Sequence, residues 1–286
     1  MTTTTHSASR ARQMLNKVPE VTLYFWIIKI MATTVGETAA DYLNVNLCFG
    51  LTNTTCFVGA LLLAALGWQF KATRYVPGIY WLAIVFISVV GTLITDNLTD
   101  RFGVSLVTST AGFAIALAVT FAAWFAGERT LSIHTIVTSR REGFYWLAIL
   151  FTFALGTAAG DLVAERFSIG YAFSGLIFGA IIAVVAIAHF AFKLNAVLSF
   201  WIAYILTRPL GASIGDLLSQ PRADGGLGLG TTVTSAVFLG SILALVTFLA
   251  ITKRDQTPPE VILAETEHER HPPRFEGPLD PSGQEA

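Results

Sequence analysis

The chain has 286 residues, of which 53% are hydrophobic and only 13% are charged, whereas soluble domains have roughly 25% charged residues. This composition argues against a soluble globular protein, and the formal net charge of -1 argues against nucleic-acid binding, which requires a basic surface. The apolar residues fall into runs of the length that membrane-spanning helices need. The sequence therefore predicts an all-α, polytopic membrane protein.

In chain order, a polar segment at residues 1–20 precedes the first apolar run, and it lacks the short apolar stretch of a signal peptide. Eight apolar runs follow, each long enough to form a transmembrane helix. Their expected bounds are 21–43, 52–70, 77–98, 104–126, 143–163, 169–192, 196–218 and 231–252. Residues 253–286 are rich in proline and in acidic side chains, which predicts a disordered tail.

The distribution of basic residues predicts the orientation of the chain. Eleven lysines and arginines lie in the N-terminal segment, on one set of alternate loops and just after the last run. The opposite loops carry only Arg101, Arg166 and Arg222. By the positive-inside rule, both termini and the tail are expected in the cytoplasm.

An internal repeat divides the apolar region into four tandem helical hairpins, over about 21–75, 76–130, 141–195 and 196–252. In each repeat a tryptophan is followed ten residues later by a glycine and fifteen residues later by an aspartate. The four sets are Trp26, Gly36 and Asp41; Trp81, Gly91 and Asp96; Trp146, Gly156 and Asp161; and Trp201, Gly211 and Asp216. The tryptophans are expected at the cytoplasmic interface of the bilayer. Fifteen helical residues rise roughly 22 Å, which predicts that the aspartates share one layer in the outer half of the membrane.

A small residue stands directly before each aspartate, four residues after the glycine. These residues are Ala40, Thr95, Gly160 and Gly215. Small residues at this spacing let helices approach closely in lipid. We therefore expect the odd-numbered runs to form an inner ring and the even-numbered runs an outer ring, with the glycines serving packing. Such faces are compatible with a monomer and with a homodimer.

Ionisable side chains within apolar runs are expensive and usually mark a pathway or a site. On the first run, four polar residues at a spacing of four form one stripe: Lys29, Thr33, Glu37 and Asp41. Lys29 has two open alternatives, because it can pair inward or extend back to the cytoplasmic surface. The four repeat aspartates also have two, a functional site or interfacial caps near the outer headgroups.

Arg208 lies in the middle of the seventh run. Pro209 follows it, which removes a helical hydrogen bond and disfavours helical geometry at Arg208. An unpaired charge at this depth would cost several kcal/mol. We therefore expect Arg208 to pair with Glu37 or with one of the aspartates.

The carboxylates and nearby hydroxyl groups form an environment of hard oxygen ligands, which suits Mg²⁺, Mn²⁺ or Ca²⁺ better than Zn²⁺ or Cu⁺. The expected ligands of the cation are Glu37, Asp41, Asp96, Asp161 and Asp216, with Thr33 beside them. Lys29 and Arg208 are expected to act as counter-charges that exchange a proton or occupy the empty site. The chain has no Walker motif and no nucleophile with an adjacent base, so neither ATP hydrolysis nor another enzymatic activity is expected.

Two strings resemble a bacterial family labelled as uncharacterised membrane-anchored proteins: TTVGETAADYLN at residues 33–44 and TRPLGASIGDLLSQPRADGGLGLG at residues 207–230. The resemblance covers residues 19 to about 254 and implies a multi-pass protein of the bacterial inner membrane. More loosely, the repeated acids on tandem hairpins are similar to those of small bacterial cation exporters, including manganese exporters.

These observations favour a secondary transporter that exports a divalent cation, with Mn²⁺ as the leading candidate. Its expected partners are the bilayer and the transported cation, and no resident cofactor is expected. Two alternatives stay open. One is a proton-coupled transporter or a channel for protons, monovalent cations or small organic cations. The other is a membrane scaffold or sensor whose buried ion pairs fix helix register.

Overall fold

The computed structural model describes residues 16–166 and 169–256, and over these ranges the chain is helical, without strands. The eight long helices are α1 Leu23–Asp41, α2 Leu51–Lys71, α3 Pro77–Asp96, α4 Leu106–Glu128, α5 Ser139–Asp161, α6 Tyr171–Phe192, α7 Ala196–Ser219 and α8 Thr231–Thr252. Their bounds agree with the eight apolar runs to within four residues. The polar segment predicted at 1–20 and the tail predicted at 253–286 lie mostly outside the described residues.

Seven of these helices, α2 to α8, are long and apolar enough to cross a membrane. The first apolar run was also expected to span, but α1 does not belong to this group. It carries three charged residues, Lys29, Glu37 and Asp41, which lower its apolar character. α1 is nevertheless enclosed by the bundle, because it packs against α3, α7 and α8.

The odd-numbered helices form a closed inner ring, as the small residues predict. α1 packs on α3, α3 on α5, α5 on α7, and α7 back on α1. In the apolar stretches of α3, α5 and α7, 56% to 67% of the residues are buried, against 6% to 28% in the even-numbered helices. The even-numbered helices therefore cover the outside of the ring.

Each even-numbered helix packs mainly on the odd-numbered helix that follows it in the chain. α2 packs on α3, α4 on α5 and α6 on α7, and the last helix, α8, packs on the first, α1. The two helices of one sequence repeat, such as α1 and α2, are therefore not the two that pack together. Each even-numbered helix packs on the first helix of the next repeat. The contact between α8 and α1 joins the two ends of the chain.

An aromatic layer closes the ring at the end that holds the repeat tryptophans, the tryptophan end. The aromatic residue before each tryptophan packs on the tryptophan of the next repeat, with ring centroids 5.6 to 6.3 Å apart. The four pairs are Phe25–Trp81, Tyr80–Trp146, Tyr145–Trp201 and Phe200–Trp26. These contacts bury Trp81, Trp146 and Trp201 in the protein. Three of the four tryptophans therefore pack between repeats and are not open to the headgroups, whereas Trp26 is half-buried.

The repeat glycines form a second set of contacts around the ring. A side chain on any of them would overlap the residue seven positions after the tryptophan of the next repeat. The four close pairs are Gly36–Ser88, Gly91–Phe153, Gly156–Arg208 and Gly211–Thr33. The packing role predicted for the glycines is therefore confirmed.

The residues just before α1 and just after α8 bond to each other, beside the contact between these two helices. The backbone N–H of Glu20 donates to the carbonyl of Asp255 at 3.0 Å, and the Tyr75 hydroxyl donates to the Asp255 carboxylate at 2.6 Å. Burial raises the pKa of Asp255, and burial together with the Asp255 charge raises the pKa of Tyr75. Nearby, Lys17 and Glu142 form a buried ion pair at 2.7 Å.

The glycine contacts predict which helix positions tolerate a methyl group. In Gly91→Ala the added Cβ would collide with the Cβ of Phe153 and crowd the backbone of α5. Such overpacking typically costs about 1–3 kcal/mol, so we expect a lower unfolding temperature for the full-length protein in detergent.

The matched control is Gly112→Ala in α4, where no described residue lies within 4 Å of an added Cβ. Alanine favours a helix over glycine by about 1 kcal/mol, so this variant should unfold at the wild-type temperature or above it. An equal decrease in both variants would contradict the close contacts within the ring.

Candidate functional site

The axis of the ring is lined by side chains at intervals of four residues, which share one face of a helix. Counted from each tryptophan, they are the third, seventh, eleventh and fifteenth residues. From the tryptophan end, the layers are Lys29, Ile84, Ile149 and Tyr204; Thr33, Ser88, Phe153 and Arg208; Glu37, Thr92, Thr157 and Ala212; and the aspartates Asp41, Asp96, Asp161 and Asp216. All residues of the first three layers are buried, and the aspartates are half-buried.

Arg208 lies at the centre of the site, where its guanidinium group joins all four repeats. It is fully buried, and its Nη2 donates to Glu37 Oε2 at 2.8 Å, to Thr157 Oγ1 at 2.7 Å and to Thr92 Oγ1. These three acceptors are equivalent residues of the first three repeats, and Ala212 occupies the same position in the fourth. Of the partners expected for Arg208, Glu37 or one of the aspartates, the structure shows the ion pair with Glu37.

The backbone around Arg208 directs its side chain towards the axis. Gly156 on α5 leaves the space that the Cβ and Cγ atoms of Arg208 occupy. α7 continues through Pro209, which has no N–H to donate to the preceding turn. The Thr33 hydroxyl donates to the carbonyl of Thr207 at 3.3 Å, and the Thr33 carbonyl accepts from Arg208 Nη1 at 3.4 Å. Thr33 therefore contacts Arg208 through its backbone.

Lys29 lies nearer the tryptophan end and is also fully buried. Its Nζ lies 4.0 Å from the ring centre of Phe153 and 4.2 Å from that of Tyr204. Over the described ranges, this nitrogen has no hydrogen-bond partner. Of the two alternatives for Lys29, the structure shows the inward position, where aromatic faces take the place of a carboxylate. The guanidinium carbon of Arg208 is 5.8 Å from the same Phe153 ring.

The four aspartates form a rim at the opposite end of the ring, the aspartate end. Asp96 interacts electrostatically with Glu37 and Asp41, and Asp216 interacts with Glu37, Asp161 and Asp41. A π-helical turn follows the aspartate in the first three repeats, at Tyr42–Asn46, Asn97–Arg101 and Leu162–Arg166. In the fourth repeat, α7 continues to Ser219. Single π-helical turns often accompany functional sites.

The structure separates the five acids that the sequence proposes as ligands of one cation. Glu37 pairs with Arg208 inside the ring, whereas Asp41, Asp96, Asp161 and Asp216 stand on the rim. Within residues 16–166 and 169–256, no three His, Cys, Asp or Glu side chains are placed to hold one metal ion.

Sequence reasoning did not identify Phe153 and Tyr204 as site residues. The repeat alignment contains the signal, because Phe153 is equivalent to Arg208 and Tyr204 is equivalent to Lys29. The spacing of the repeats also puts Thr92 and Thr157 at the positions equivalent to Glu37. It did not predict that both hydroxyl groups would accept from Arg208.

A cavity of about 690 Å³ lies beside the ring, between α1, α6 and α7. Apolar and aromatic side chains make up most of its lining, including Trp26, Phe190 and Phe200. It also reaches Thr207, the residue before Arg208. The cavity therefore approaches the charged centre from the side of the bundle.

A family model described as a repeat of unknown function, DUF347, matches the chain four times, at residues 24–75, 79–130, 144–195 and 199–255. These ranges coincide with the four repeats marked by the tryptophans, so the predicted repeat is confirmed. No curated protein and no solved structure matches the chain. The description of the family contains no link to metal exporters.

The ion pair at the centre predicts a specific pattern of stability. Glu37→Gln and Arg208→Met each leave one buried charge without its partner, which typically costs about 3–5 kcal/mol. The double variant removes both charges, so we expect it to regain part of the loss. Thermal unfolding of the full-length protein in detergent measures all three effects.

Glu128→Gln is the control for this experiment. Glu128 pairs with Arg141 at 2.8 Å and with Arg140 at 3.4 Å, and both arginines are partly exposed to water, unlike Arg208. Ion pairs that water reaches typically contribute about 0–1 kcal/mol. This variant should unfold close to the wild-type temperature. Additive losses in the double variant at the centre would contradict the coupling between Glu37 and Arg208.

Proposed function

The chain belongs to the DUF347 repeat family, and from the geometry of its axis we propose that it is a multi-span membrane transporter for a small cation. In this proposal it resides in the bacterial inner membrane, with the tryptophan end and both termini facing the cytoplasm. The fully buried Arg208, hydrogen-bonded to all three other repeats, is the observation that carries the proposal. A charge at membrane depth is expensive and generally marks a transport pathway.

The electrostatics of the axis favour a cation as the cargo. The four rim aspartates make the mouth at the aspartate end negative, and a mouth of one charge sign concentrates ions of the opposite sign. Glu37 lies one helical turn deeper than Asp41. A cation that reaches Glu37 competes with Arg208 for the carboxylate, while Thr92 and Thr157 continue to accept from the guanidinium group. The ion pair therefore acts as a gate that the cargo opens by exchange.

The aromatic layer supports a transporter with alternating access. It fills the axis at the tryptophan end. There the hydroxyl groups of Tyr80 and Tyr145 form a hydrogen bond, with their oxygen atoms 2.5 Å apart. A cargo that passes Arg208 from the aspartate end then meets a closed layer. Release at the tryptophan end requires the aromatic pairs between neighbouring repeats to separate, which is a rocking movement of the repeats around the site.

A divalent cation is the first cargo to test, with Mn²⁺ as the leading candidate. The oxygen atoms of the rim carboxylates and of the threonine hydroxyl groups are hard ligands, which Mn²⁺, Mg²⁺ and Ca²⁺ prefer. Two carboxylates balance the charge of one such ion. In this proposal the cation meets the rim aspartates first and Glu37 afterwards.

The cavity beside the ring favours a second candidate, a small organic cation with an apolar body. Its aromatic lining suits such a molecule, and Thr207, the residue before Arg208, is among its lining residues. Phe153 and Tyr204 also present their ring faces towards the axis, at 4.0 and 4.2 Å from Lys29 Nζ. Such faces attract organic ammonium groups.

Complementation of cells that lack the protein tests the transport function. If the protein exports a metal, these cells should accumulate that metal and become sensitive to it. Wild type should restore both properties, whereas Asp161→Asn and Arg208→Ala should fail at normal membrane levels, because they remove a rim acid and the central charge. Manganese, magnesium, calcium, cobalt and zinc are tested separately, with the cellular metal content as the measurement.

Asp224→Asn is the matched control, because Asp224 is an exposed acid in the loop between α7 and α8, outside the axis. It should complement like wild type. If no metal distinguishes the strains but an organic cation does, the second candidate replaces the first. If neither class of cation distinguishes them, the transport proposal is wrong, and the ring is a scaffold or sensor.

A further inference from the structure

We propose that Lys29 carries the proton that couples transport: its amine is neutral while the axis is closed at both ends and binds a proton from water when one end opens. The inference rests on the proposed transport function and assigns its coupling ion. It gives a role to a buried amine that neither the rim nor the pair of Arg208 and Glu37 requires.

The surroundings of Lys29 fit a neutral amine better than a permanent cation. A buried ammonium group normally has a carboxylate or several hydrogen-bond acceptors, because leaving water without them is costly. In the described part of the chain, Lys29 Nζ contacts the faces of Phe153 and Tyr204 and has no hydrogen-bond partner. Aromatic faces attract a cation but carry no negative charge that would neutralise it.

The charges around Lys29 do not balance two permanent cations. On α7, the nearest ionisable groups are Tyr204 and Arg208, and the charge of Arg208 acts on Lys29. On α1 itself, Glu37 stands two turns away and already pairs with Arg208 at 2.8 Å. The one carboxylate within these layers therefore pairs with Arg208 and does not neutralise Lys29.

The other helices that surround Lys29 supply no carboxylate at its level. α8 has no ionisable residue between Thr231 and Thr252. α3 and α5 carry Tyr80 and Tyr145 in the aromatic layer, and Asp96 and Asp161 stand on the rim. The other acid of α5, Glu142, lies before the aromatic layer and already pairs with Lys17 at 2.7 Å. A second cation at the level of Lys29 therefore has no described counter-ion.

The position of Lys29 makes proton uptake dependent on the opening of the axis. The ion pair of Arg208 and Glu37 separates it from the aspartate end, and the aromatic layer separates it from the tryptophan end. When either barrier opens, water reaches Nζ and its lone pair binds a proton. The ammonium group then competes with the cargo cation for Glu37. Because the two cations exclude each other, a proton and a cargo cation move in opposite directions.

Proteoliposomes that contain the purified full-length protein test this coupling, with Mn²⁺ and the organic cation ethidium as separate probes. Two assays are compared, accumulation driven by a pH gradient and exchange of the probe at equal pH. Wild type should perform both. Lys29→Met should retain exchange but lose gradient-driven accumulation to the level of protein-free liposomes. Lys29→Arg, which keeps a permanent charge, should also lose the pH-driven accumulation.

The control is Lys71→Gln, at the exposed end of α2, which should behave like wild type in both assays. If wild type transports neither probe, the proposed transport function fails for these cations, and the inference falls with it. If wild type accumulates a probe and both folded Lys29 variants still do so under the pH gradient, transport stands and the role of Lys29 is wrong. If a folded Lys29→Met variant loses exchange as well, Lys29 belongs to the cargo site and is not the proton carrier.

Discussion

The guanidinium group of Arg208 is the constraint on which the ring depends. A buried cation must find acceptors, and no single helix supplies enough of them. Arg208 therefore takes two from the first repeat and one each from the second and third. These contacts fix the axial position of α1, α3 and α5 relative to α7. The aromatic pairs and the glycine contacts repeat the same register around the ring. One side chain thus links the placement of four helices to the charge of the site.

The repeats are alike where they pack and different where they face the axis. The tryptophan, glycine and aspartate occur in all four. The layers between them contain one lysine, one arginine and one glutamate, which are Lys29, Arg208 and Glu37. A ring of identical repeats would bring four equal charges together at the centre, where their repulsion is strong. Divergence at these layers allows one ion pair and one isolated lysine to occupy the axis of a nearly four-fold structure.

The sequence predicted the parts of this structure that depend on local pattern. Apolar length located the helices, and the spacing of the tryptophans located the repeats. The cost of a buried charge predicted that Arg208 pairs with an acid, either Glu37 or one of the aspartates. It did not predict the aromatic surroundings of Lys29, because Phe153 reaches this residue from the opposite side of the ring. It also did not predict that Trp81, Trp146 and Trp201 are buried, because each is covered by an aromatic residue of the preceding repeat. Such contacts depend on the order and direction in which the helices close, which the pattern of one helix does not contain.

Because each even-numbered helix packs on the next repeat, the last helix must pack on the first, and this affects biosynthesis. α1 emerges from the ribosome first, yet two of its packing partners, α7 and α8, are the last helices to be made. It is also the helix with the most charge along the axis, since it carries Lys29, Glu37 and Asp41. Until α7 arrives, Glu37 has no arginine beside it. Of the eight helices, α1 is therefore made first but gains its last packing contacts at the end. The ring closes only when α7 and α8 have been synthesised.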